Sequence, residues 1–270
     1  MQSLALSFIL SVRSGIRGPG TGLMLLLAMS CSPMSRKETS EHFAYVFNSQ
    51  VDSATVKEVA QALENNYLRI SKALNTVPVQ PIEVFLYSNR WDYARATGHW
   101  TASGNVRGPA QLHFLPEGWA VKEYQKTAVH EFAHAVTLKL LMDHSPQPVN
   151  EQKLEQKFAR LPVWLWEGIA CYQAGEFEHP RAMPYFTDGR TLTLQELNSR
   201  KGEKIYKVGY LLIEYVLHQY GQDQLIELLT RDGELPSALK VSEAEFERGW
   251  HQFVQDKYLK PSSPGTMKQE

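Results

Sequence analysis

The sequence predicts an α+β domain: a small β-α-β sheet module over residues 42–119, then a mostly helical half over 120–258. Three observations predict it. Short aromatic and apolar runs, punctuated by proline and glycine, crowd into the first of these segments. Apolar residues recur at helical spacing through most of the second. The 270 residues, 43% hydrophobic and 21% charged, suffice to bury such a core without disulfide staples.

Each element follows from its residues. "HFAYVF" (42–47) reads as a strand. Asp52 or Ser53 can cap a helix running to about Leu74, whose apolar positions Val56, Val59, Ala60, Leu63, Tyr67, Ile70 and Leu74 follow helical spacing. Pro78 and Pro81 punctuate before "IEVFLY" (82–87), a buried strand. "RWDYARAT" (90–97) is a short helix ended by Gly98, and a glycine-containing loop (103–109) leads to a third strand, "AQLHFL" (110–115). A long helix is expected from about Val121 to Leu141, then a surface loop, "MDHSPQPVNEQK", marked by Pro146 and Pro148. From "LPVWLWEGIACYQAG" (161–175) onward the pattern is helical. Thr193 can cap a short helix, Gly221 ends the amphipathic run 204–221, and Ser242 with Glu245 has capping-box spacing. Residues 259–270 read as a disordered tail.

The formal net charge of −1 offers no field for nucleic acid, and there is no zinc-finger spacing, phosphate loop or internal repeat. Of the two cysteines, Cys171 falls in the helical half and Cys31 near the N-terminus. Arg13 and Arg17 precede the apolar run "GLMLLLAM" (22–29), then Ser30 and Cys31. That order describes an export signal over 1–30, with a run too short to span a bilayer. Cysteine directly after "LAMS" resembles a bacterial lipoprotein signal, although Ala28 stands where leucine is commoner. The resemblance implies lipid on Cys31, a membrane anchor, a polar tether (31–41) and residence in the cell envelope, on the periplasmic face of the outer membrane. The other readings of the same pattern are a plain secretory signal and a buried N-terminal segment.

"VHEFAHAV" (129–136) holds H-E-x-x-H. Chance gives such a match about once in forty chains of this composition, so more residues must support it. Residues four apart on a helix project from one face, so His130 and His134 can share an ion, with Glu131 beside them. Apolar neighbours bury this helix, and buried histidines need partners. The expected third ligand is Glu167. Trp164, Leu165, Trp166 and Ile169 flank it, and a carboxylate buried there unpaired is costly. Its small neighbours Gly168 and Ala170 let two helices approach. An exposed helix-start glutamate favoured by the helix dipole is the other reading.

"HEFAH", then "PVWLWEGIACY", then "YKVGYLLIEYVLHQYG" together resemble the peptidase MA-like gluzincins, over most of residues 42–258. The resemblance implies a zincin fold like that of thermolysin, and one Zn²⁺ per chain held by His130, His134 and Glu167. It also implies Glu131 as general base and Tyr206 as hydrogen-bond donor to the oxyanion, with Tyr210 as the alternative. "AQLHFL" resembles the edge strand that holds extended peptides, where His113 either faces the cleft or is structural. One departure stands out. Where such sites place an acidic residue four after the glutamate ligand, this chain has Cys171, so Glu176 or Glu178 is expected to supply the outer carboxylate. The implied activity is zinc-dependent hydrolysis of peptide bonds in the envelope. The alternative is a non-catalytic, zinc-containing peptide-binding or scaffold lipoprotein; a pure binder, however, has no need of Glu131.

Overall fold

The structure, a computed structural model, describes residues 34–116, 124–148, 151–187, 192–199 and 203–260, with the backbone alone for 151–155. Cys31, the signal segment and nearly all of the expected C-terminal tail lie outside the described residues. The chain is α+β, as its patterning predicts. Five strands form one mixed sheet: β1 (Arg36–Thr39), β2 (Phe43–Phe47), β3 (Ile82–Leu86), β4 (Gly104–Val106) and β5 (Gln111–Phe114), in the order β1-β2-β3-β5-β4. The central three are parallel, and β1 and β4 run antiparallel at the two edges.

Two of these strands correct the sequence reading. β1 occupies part of the expected tether, and β4 part of the expected loop 103–109. Both are short: β1 is exposed throughout and carries no alternation, and the alternation of β4 spans only three residues, too few to mark a strand. A third correction follows. β5 lies between β3 and β4, so the free edge on that side belongs to β4, not to "AQLHFL".

The period-2 pattern of β2 and β3 separates two faces. Phe43, Tyr45 and Phe47 with Ile82, Val84 and Leu86 enter the main core. There they meet α1 (Ser53–Ala73), capped by the Asp52 carboxylate on the Thr55 amide at 3.4 Å, and α3 (Tyr124–Asp143). Phe132 of α3 sets its ring edge-on to Phe43 at 5.4 Å and stacks on Tyr67 of α1 at 5.9 Å, tying sheet and both helices together. The opposite face carries α2 (Arg90–Thr97) over a smaller cluster of Tyr87, Tyr93 and Leu115. Gly98, at φ +80°, ends α2 in the left-handed conformation that glycine adopts freely.

The second half is helical: α4 (Glu151–Arg160), α5 (Val163–Ala174), α6 (Pro184–Thr187), α7 (Leu194–Leu197), α8 (Lys204–Gln219), α9 (Gln222–Thr230), α10 (Leu235–Ala238) and α11 (Glu243–Val254). The capping boxes at Thr193–Glu196 and Ser242–Glu245 both form. α4 lies partly in the expected loop 142–153. Among the described residues no helix is long and apolar enough to cross a membrane.

Candidate metal centre

α3 is buried all round. From Ala128 to Leu138 every side chain is buried, His130, Glu131 and His134 included. The helical repeat places the two histidines one above the other, as their spacing predicts, with ring centroids 4.8 Å apart. α5 crosses α3 and brings Glu167, only 2% exposed, onto the same spot. Glu167 Oε2 stands 3.2 Å from His130 Nε2 and 3.6 Å from His134 Nε2. Three donors about 2.1 Å from one tetrahedral ion stand about 3.4 Å from each other, and the observed separations bracket that value. Neither ring nitrogen of His134 has a hydrogen-bond partner, a costly state for a buried imidazole that a shared cation would relieve. The three expected ligands are thus brought together, and they fit a metal ion.

A fourth group completes the surroundings of His130. Glu176 Oε1 accepts from His130 Nδ1 at 3.1 Å. The helix end explains how. Gly175, at φ +66°, takes the left-handed turn, and the Gly175 and Glu176 amides donate back to the Tyr172 and Cys171 carbonyls, a Schellman motif. The chain reverses, and Glu176 falls beside its own last turn. Glu178 instead pairs with Lys207 at 2.7 Å, so the structure decides between the two expected carboxylates. Cys171 is fully buried beside His130 and Glu176, close enough to group with them, and burial pushes its thiol pKa up.

The electrostatics reflect this crowding. Burial pushes Glu131 up to about 8. It pushes Glu167 the same way, but the His130 hydrogen bond and the close approach of His134 outweigh it and bring that carboxyl to about 2. His134 is lowered by burial to about 4. Burial opposes a charge on His130 too, yet the Glu176 carboxylate holds it well above the ordinary range. Two carboxylates, buried Glu167 and half-buried Glu176, therefore flank one imidazole. The cation that balances them can be a proton on His130 or a metal ion.

Tyr206 and Tyr210 separate clearly. Tyr206, on the first turn of α8, hydrogen-bonds the Glu167 carboxylate and lies 6.3 Å from the His130 ring. Burial raises its pKa, so its hydroxyl stays a donor. Tyr210 turns away, to Tyr172 at 4.9 Å and Phe177 at 5.2 Å. A backbone contact between helices sets this arrangement. A Cβ on Gly209 would stand 3.0 Å from the Gly168 Cα, so α8 and α5 touch glycine to glycine just beyond Tyr206 and Glu167.

Three residues take parts at the site that the sequence did not assign to them. Gly104 of β4 leaves room for Glu131, whose Oε1 would lie 2.7 Å from any Cβ there. Trp166 stacks on His134 at 4.0 Å and 10°, walling that ligand. Gly209 makes the helix contact just described. A glycine within "SGNV" and another within an amphipathic helix were the only signals available. His113 lies elsewhere. Its neighbours Leu112 and Phe114 enter the main core, while His113 stacks on Phe85 and accepts or donates at the Tyr87 hydroxyl, 2.8 Å away, on the sheet's other face. Its role is structural, and burial lowers it to about 4.

No protein-family model matches the chain, and no curated protein matches it.

Proposed function

We propose that the chain is a zinc-dependent metallopeptidase with a zincin fold of the peptidase MA-like gluzincin kind, acting on peptide bonds in the bacterial cell envelope. The observation that carries this reading is the convergence of buried His130, His134 and Glu167 from two helices, with a further buried carboxylate, Glu131, beside them but outside the ligand set. Two imidazoles and one carboxylate suit zinc and leave a coordination position open, the arrangement of catalytic rather than structural sites. When bound there, the ion supplies Lewis-acid polarisation of a carbonyl and acidification of water.

The chain's own groups do the rest. Glu131, held between α3 and the Gly104 edge, takes the proton of the attacking water and returns it to the leaving amine. Tyr206 donates a hydrogen bond to the oxyanion. Glu176 fixes the tilt and tautomer of His130. Trp166 keeps water from the far side of His134. The place in the envelope rests on the N-terminal pattern that ends at Cys31.

Glu131→Gln tests the reading, because glutamine keeps the shape and removes the base. The purified, zinc-loaded protein is expected to cleave members of an unbiased peptide library. The variant should keep its zinc and lose about 10²–10⁴ in kcat. If wild type and variant are equally inert yet bind a peptide equally well, the scaffold reading replaces this one.

A further inference from the structure

Two tryptophans stand at the surface. Trp91 is 57% exposed and Trp100 53%, and they touch, with ring centroids 4.6 Å apart and planes at 87°. Trp164, Trp166 and Trp250 are buried. Paired indoles left in water mark a contact surface rather than ordinary surface scatter. Their position in the fold identifies the occupant. Trp91 lies in the first turn of α2, and Trp100 follows the glycine that ends it, on the sheet face away from α1 and α3.

The N-terminal segment arrives at this same place. Met34 packs on the cluster of Tyr87, Tyr93 and Leu115 beneath α2. The strand register shows why. Arg36 lies opposite Phe47, Phe47 opposite Leu86, and Leu86 opposite Phe114, so the incoming chain meets the sheet where Tyr87 and Leu115 leave it. Cys31 is three residues before Met34, a reach of at most about 11 Å. A group attached to Cys31 is therefore held within about one helix diameter of the α2 cluster.

We propose that the Trp91–Trp100 face is a membrane-docking surface, with both indoles seated in the headgroup region of a phospholipid bilayer. Tryptophan favours that region because its ring is apolar and its N–H needs a polar partner. An acyl anchor on Cys31 alone would leave the domain free to swing. A second, rigid contact fixes its orientation and adds to the hold on the bilayer. Local charge is modest, a net +2: Arg90 and Arg95 against Asp92 on α2, and Arg36 and Lys37 against Glu38 on β1. The paired indoles carry the docking, so it should persist in high salt on an uncharged bilayer, the positive excess adding to it only where the lipid is anionic.

The test uses the full chain with phosphatidylcholine vesicles brominated near the headgroup end of the acyl chains, at about 0.5 M NaCl, where the Debye length is about 4 Å. Bromine is expected to quench part of the wild-type tryptophan emission. That quenched part should disappear in Trp91→Phe/Trp100→Phe, which keeps the apolar surface and the fold. Absence of quenching in wild type, or equal quenching in the double variant, overturns the proposal. So does protection of these two indoles from iodide by a soluble chitooligosaccharide with no response to lipid, which would make the face a sugar platform. The mass of the N-terminal peptide reports the anchor separately. Acylated Cys31 without indole quenching keeps the anchor and overturns the docking, whereas quenching with unmodified Cys31 supports docking without an anchor.

Discussion

At the scale of single residues, the site divides by what each side chain touches. Tyr206 reaches Glu167 and the His130 ring, whereas Tyr210 packs among aromatics. Tyr206→Phe should therefore retain zinc and lose about 10²–10³ in kcat, the worth of one oxyanion donor, while Tyr210→Phe turns over normally. Steady-state kinetics beside metal analysis checks both; a crippled Tyr210→Phe with intact Tyr206→Phe would exchange the roles. Glu176 accepts from His130 Nδ1, and Glu178 pairs with Lys207. Losing an outer carboxylate typically costs a metal site about ten- to a hundredfold in affinity. Glu176→Gln should show that loss in a competition titration against a chromophoric chelator, and Glu178→Gln should match wild type. The identity of this outer carboxylate was only half legible in the sequence. Position 171, where the resemblance puts an acid, holds cysteine, and two later glutamates were equivalent on paper. The left-handed turn at Gly175 is what brings one of them back to the histidine.

At the scale of elements, the packing of α5 on α8 holds Glu167 and Tyr206 together. The contact is backbone to backbone, Gly168 against Gly209, with Ile213 and Cys171 around it. Gly209→Val has nowhere to put its side chain without moving one helix. Overpacking of this kind costs about 1–3 kcal/mol. The better helix propensity of a residue other than glycine recovers less than about 1 kcal/mol of it. The variant is expected to melt earlier and to bind zinc more weakly, because the strain falls between a metal ligand and its hydrogen-bond partner. Wild-type zinc affinity in a destabilised Gly209→Val protein would show that the α5–α8 contact serves stability alone. The sequence anticipated half of this contact, the small residues after Glu167, because they adjoin the ligand. Its other half lies 41 positions on, in an amphipathic helix where one glycine attracts no notice.

At the scale of the whole molecule, the candidate site joins two parts of the chain. Its histidines sit on α3, which packs on α1 and carries Phe132 into the sheet, and its third ligand sits on α5 in the helical half. A metal ion bound there cross-links the two and should stabilise the fold by linkage. At free zinc a hundredfold above its dissociation constant the gain is about 2.7 kcal/mol. For a chain of this size that corresponds to a rise in Tm of roughly 5–10 °C. Differential scanning calorimetry with and without zinc should show the shift in wild type and none in Glu167→Ala. An equal shift in both would place the ion elsewhere.

What the sequence determined by itself is what local periodicity and local chemistry carry. The α+β class, helices α1, α2 and α8, the caps at Thr193 and Ser242 and the shared face of His130 and His134 all follow from spacing along one element. Glu167 was legible for a related reason, since an acidic side chain among tryptophans and leucines needs a partner wherever it ends up. The tertiary structure decided what depends on neighbours remote in sequence. β1 and β4 exist because β2 and β5 offer them free hydrogen-bonding edges; their own residues, short and mostly polar, specify no strand. The same pairing made β5 an interior strand and turned His113 to the far face. The convergence of Glu167 and Tyr206 on His130 came from helix crossings fixed by contacts across the core, and the local turn at Gly175 then brought Glu176 to the same histidine.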